Sequence, residues 1–138
     1  MTDREALATL LRPHCAGVLD RLADEALRAA DHPQLPSKAE LRVALDRGAE
    51  HGLRAIALRD DERRVQLRAL VAASRGALDR LAVPTVARYG LSRIGLQHAR
   101  ATVDREVEGR ADEAALRREF VAFEADLTGV LQDATLVV

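Results

Sequence analysis

The chain has 138 residues, a formal net charge of -1 and only 2% aromatic residues. Its length suits one compact domain, its 48% apolar content excludes disorder, and its single cysteine excludes an intrachain disulfide framework and fits a reducing compartment. Balanced charge without a basic stripe, and the scarcity of stacking rings, argue against a nucleic-acid partner.

With no Trp, one Tyr and two Phe, the core must be built from Leu, Ala and Val, which favours helices over β sandwiches. The periodicity predicts a first helix over Asp3 to Leu11, ended by Pro13. Pro13 also suits the first turn of a second helix, from about His14 to Ala30, with Val18, Leu22 and Leu27 buried. Asp31 to Pro36 reads as a loop, because its two prolines forbid a continuous helix. Ser37-Lys38-Ala39-Glu40 has the spacing of a capping box and opens a third helix to about Leu58. That helix carries Leu41, Leu45, Gly48, Gly52 and Ala55/Ile56 on one face.

Asp60 is a candidate N-cap for a fourth helix, from Glu62 to about Leu81. Val65, Leu67, Leu70, Val71, Leu78 and Leu81 are its expected apolar set. Pro84 starts a fifth helix, to Val107 or Glu108, with Gly109 as its stop. A sixth spans Asp112 to about Thr135, with Leu116, Phe120, Phe123, Leu127 and Leu131 at helical spacing. The expected fold is all-α: a single domain of five or six helices over residues 1-138, with successive helices packed roughly antiparallel.

The fifth helix has two apolar stripes when residues are placed 100° apart. One carries Ala87, Leu91, Ile94, His98, Ala101 and Thr102. The other carries Tyr89, Leu96, Val103 and Val107, with Arg93, Gln97, Arg100 and Asp104 on a polar strip between them. Such a helix belongs at the centre of the domain, and Gly95 gives it a smooth spot for a helix or flat ligand. His98 then has two readings. It is a neutral imidazole bonded to a carbonyl, a threonine or water, or it is an axial ligand of heme iron. His51 reads as a boundary residue or as a distal group facing such a ligand.

Tyr89 and the run Arg93-Ile94-Gly95-Leu96-Gln97-His98 resemble the proximal-helix motif of bacterial globin-coupled sensors. Residues 37 to 107 also resemble the heme-free, globin-like N-terminal domains of bacterial stress-signalling regulators. The resemblance implies a globin-like bundle with His98 as proximal heme ligand. Leu91, Ile94, Gly95, Tyr89 and Thr102 would then line the site. It also implies a homodimer that acts as the input part of a longer signalling protein with an output domain. The stretch after His98 has room for one long helix where the heme-binding family has two.

Other chemistry has little footing. His14 and Cys15 are adjacent, so their side chains diverge on a helix. Asp60-Asp61-Glu62 complements a helix dipole. Ser74-Arg75-Gly76 reads as close helix packing, and Cys15 as a small buried residue. Phosphate loops, nucleophile elbows and metal-ligand spacings are missing from the sequence. The start has no apolar leader and no run suits a membrane span, so the expected location is cytoplasmic. Arginine dominates the basic residues, with Lys38 the one lysine, which reads as coding bias. The apolar end, Thr135 to Val138, reads as a packed tail or as the edge of a domain cut from a longer chain. The expected function is a non-enzymatic sensory or regulatory domain that transmits the signal of a gas, a small molecule or a partner. The alternative is a helical interaction or scaffold module without a ligand.

Overall fold

A computed structural model describes residues 1–29, 37–80 and 82–133. The predicted loop at Asp31–Pro36, the buried position of Leu81 and the tail from Thr135 lie outside the described residues. So do the side chains of Ala87 and Tyr89. The described residues form six α-helices and one short 3-10 turn, with no strand among them.

Helix α1 is Asp3–Leu11. Thr2 caps it: its hydroxyl accepts from the Glu5 amide while the Glu5 carboxylate accepts from the Thr2 amide, both at 3.1 Å. This full reciprocal box went unread in the sequence, although Thr2 and Glu5 have the same spacing as Ser37 and Glu40. The 3-10 turn Arg12–His14 carries Pro13 and leads into α2, Cys15–Ala29. Pro13 therefore shapes the junction and α2 itself begins at Cys15.

Helix α3, Lys38–Ala57, starts at Ser37, whose hydroxyl accepts from the Glu40 amide. Among the described residues only this half of the predicted box forms. Lys38 reaches back to α2, 3.1 Å from Asp20 and 3.0 Å from Asp24, and Arg42 joins Asp20 at 3.1 Å. The hydrogen bond from Lys38 holds the Asp20 carboxyl below its usual range. The one lysine thus has a positional role, tying the start of α3 to the outer face of α2.

Helix α4 is Asp60–Arg80, longer at its start than predicted. Asp60 is not a simple extended cap: its φ is 53°, a left-handed conformation that aspartate tolerates. The central feature is Arg63, only 3% exposed. Its Nε donates to the Ala55 carbonyl at 3.0 Å and one terminal nitrogen to the Ile56 carbonyl at 3.2 Å. The other terminal nitrogen donates to Asp126 at 3.2 Å, and the guanidinium carbon lies 5.8 Å from the centre of the Phe123 ring. A cation thus satisfies carbonyls in the last turn of α3, where the helix dipole favours positive charge. Val65, one of the expected apolar set, is 58% exposed. At 100° per residue it falls roughly opposite the stripe of Leu67, Val71 and Leu78, which are buried.

At the end of α4 the Val83 amide donates to the Leu78 carbonyl and the Ala82 amide to the Asp79 carbonyl. This is the Schellman bond pair, with Val83 and Leu78 in the same apolar cluster. Its left-handed position is held by Ala82, φ 54°, where glycine would be unstrained. Pro84 caps α5, Thr85–Val107, and does not itself begin the helix. After α5, Glu108 and Gly109 form a type II turn: Gly109 has φ 79° and the Arg110 amide donates to the Val107 carbonyl. Helix α6 is Glu113–Asp133 and carries both phenylalanines, their ring centres 6.3 Å apart.

The packing splits the interior into two clusters. One joins α1, the end of α3, the start of α4, the end of α5, and α6, around Leu7, Leu67, Val107, Leu116 and Phe120. The other joins α2, the start of α3, the end of α4 and the start of α5, around Leu22, Ala26, Leu41 and Leu91. α3 and α4 share the longest interface, and α5 packs on α2, α6 and α1. Consecutive helices do not all pair as predicted. Among the described residues α4 and α5 have no extended interface, although Arg88 ties them at their corner by donating to Val83 and Asp79.

Two stability predictions arise here. Ala82→Gly relieves the left-handed strain and raises stability by about 0.5–1 kcal/mol in thermal unfolding. Arg63→Met removes the donor to Asp126 and the Ile56 carbonyl and one of two donors to the Ala55 carbonyl, and lowers stability by about 2–4 kcal/mol in urea. Arg63→Lys recovers less than half of that loss, because an ammonium lacks the planar fork that serves three acceptors.

Candidate functional site

The gap between α4 and α5 is a cavity of about 290 Å³. Every helix contributes to its wall, and the contributions are mostly small or aliphatic, with Phe123, His14 and Arg88 as the larger exceptions. α3 presents Gly48, Ala49 and Gly52, and α5 presents Gly95 and Ala99. A Cβ added at Gly52 would lie 3.5 Å from Leu70, and one at Gly95 would lie 3.7 Å from Leu22. These are ordinary contacts, so the cavity reflects missing side-chain volume and not a clash that holds helices apart.

Few polar groups reach the wall, and most are already engaged. The Cys15 thiol donates to the Leu11 carbonyl at 3.6 Å. His14 stands 3.4 Å from Glu106, an ion pair when the imidazole is protonated. Arg88 is matched by Asp79 at 2.6 Å. Thr102 and Ser92 donate to the carbonyls of His98 and Arg88, one turn back on α5. Burial pushes the Cys15 thiol above its ordinary range, outweighing the opposing charge of Arg12.

The structure divides the predicted site residues. Leu91, Gly95 and Thr102 are cavity walls. Ile94 packs against the second cluster beside them, and His98 is half-buried at the edge of this arc; neither is a wall residue. The side chain of Tyr89 lies outside the described residues. His51 faces Gln66, with Nδ1 3.2 Å from its side-chain oxygen, away from the cavity wall. Ala101, placed in the same stripe as His98, is exposed.

The residues present do not fit a heme ligated by His98. The imidazole that would ligate iron is not in the cavity wall. A porphyrin has roughly seven times the heavy atoms of benzene, which fills a cavity of about 150 Å³. The observed volume is only about twice that. Among the described residues no group of three or more His, Cys, Asp or Glu side chains could hold a metal ion. None of the described helices is long and apolar enough to cross a membrane.

The contributions of Cys15, Ser74 and Ala99 to a common space were not readable from the sequence. Gly48 and Gly52 on the apolar face of α3 were the available signal, because two glycines one turn apart lower a helix surface without breaking its pattern. Compared with known proteins, the chain matches no family model, no curated protein and no solved structure.

The thiol yields a prediction with a definite sign. A raised pKa means that folding favours the protonated form. Its contribution to stability is complete below the ordinary thiol pKa and is lost as pH rises through the folded value. Native protein should react with iodoacetamide at pH 8 more slowly than glutathione does. The loss of stability between pH 8 and 10.5 should be shallower in Cys15→Ala.

Proposed function

We propose that this chain is a non-enzymatic sensory or regulatory domain, a globin-like bundle whose ligand chamber is the cavity between α4 and α5. The cavity carries the reading. It lies where two separate core clusters meet, so filling it alters the packing of one against the other. A ligand that binds one packing better than another shifts the population between them by its differential affinity. α5 is suited to carry the change, since it contributes to both clusters and contacts α1, α2 and α6.

The signal is a small molecule and not a gas on iron held by His98, given the placement of His98 outside the wall. Output runs through a homodimer, in which altered helix packing changes the contact between copies and reaches an output domain or a partner protein. The location assigned to this activity is the cytoplasm.

Naphthalene is a suitable probe, being somewhat larger than the benzene that fits a cavity about half this size. Near saturation it should raise the melting temperature of the native chain by a few degrees. Ala99→Leu, which fills the space, should fold and show no such shift. An unchanged melting temperature in the native chain would remove the chamber, leaving a ligand-free scaffold. Light scattering should give about twice the 15.0 kDa chain mass at high micromolar concentration. A strict monomer would overturn the dimeric output.

A further inference from the structure

Three hydroxyl groups stand in the cavity wall, and they are not equivalent. Thr102 donates to the His98 carbonyl at 2.9 Å and Ser92 to the Arg88 carbonyl at 3.3 Å. Bonding one turn back is the ordinary way a helical hydroxyl is satisfied when water is scarce. Ser74, midway along α4, departs from this pattern. No hydrogen bond from its hydroxyl is found among the described residues. Across from it stands Gly48 of α3, where an added Cβ would come within 3.3 Å of the serine oxygen. A side chain at that position would crowd the hydroxyl, which the glycine leaves unpressed.

The remaining wall donors have partners, and their charges are matched. Arg88 is held by Asp79 and by the Val83 carbonyl, His14 faces Glu106, and the Cys15 thiol is bonded to Leu11. An anionic head group would find no unmatched cation here, and burying it would be costly. The volume, about twice that of a benzene cavity, suits a molecule of roughly a dozen heavy atoms.

From this wall we infer that the cavity takes a neutral, compact, apolar molecule bearing one hydrogen-bonding group, such as a phenol, alcohol or ketone, and that Ser74 selects for that group. The inference rests on the cavity being a ligand chamber.

Three probes of one shape test it: naphthalene, 2-naphthol and 2-naphthoate, with dissociation constants measured on the native chain and on Ser74→Ala. Alanine suits a helix, and the variant loses no bond within the protein. The native chain should bind 2-naphthol about fivefold more tightly than naphthalene, the value of one net hydrogen bond. It should bind 2-naphthoate at least about tenfold more weakly than 2-naphthol. In Ser74→Ala the affinity for naphthalene should hold and the preference for 2-naphthol should vanish. A preference that survives in Ser74→Ala, or tightest binding of 2-naphthoate, would overturn the selectivity. Equal binding of all three would overturn it while leaving the chamber in place. Binding of none would remove the chamber as well.

Discussion

The guanidinium of Arg63 holds the end of α3, the start of α4 and the middle of α6 in one arrangement. A buried cation is costly unless its donors are matched. Here the acceptors are two carbonyls of the last turn of α3, of which Ala55 also accepts from the Leu58 amide, and the carboxylate of Asp126, with the face of Phe123 beside them. Together they fix the angle at which α4 leaves α3, and so where α4 stands relative to α5. The longest helix interface among the described residues starts from this junction.

The cavity follows from that frame and from the composition. α4 is held by α3 and α6, while α5 is held by α2, α6 and α1. The facing surfaces carry Gly48, Gly52, Ala77, Gly95 and Ala99, too small to fill the space between them. The chain has two phenylalanines, both on α6, and Phe123 alone of them reaches the wall, so the gap is left open. Small side chains in a well-anchored frame leave a void that its neighbours cannot collapse into without breaking other contacts. Aromatic scarcity therefore shapes the site as well as the fold class.

The helices were legible because periodicity, prolines and caps act locally. Leu67, Val71 and Leu78, or Leu116 and Phe120, reveal a buried face by spacing alone. The turn at Gly109 was equally plain, since a positive φ demands that residue. Arg63 was not legible. It sits in an arginine doublet near a helix start, where a cation has no local advantage, and its acceptors come from other helices. Val65 failed differently: it is apolar, but its angle on the helix puts it outside the stripe. The motif around His98 lies on a helix that lines the cavity, where Gly95 and Leu96 are wall residues. It put the chemistry on a histidine at the edge, because a sequence fixes which face a residue takes but not how deep a neighbouring gap runs.

The gap is a ligand-sized, largely apolar space between two core clusters. Diffraction from crystals pressurised with xenon tests it most directly, since xenon occupies apolar cavities without needing a polar partner. The account predicts xenon density bounded by Leu70, Gly95 and Ala99, lost in Ala99→Leu. Native crystals with α4 and α5 closed upon each other and no xenon between them would contradict it.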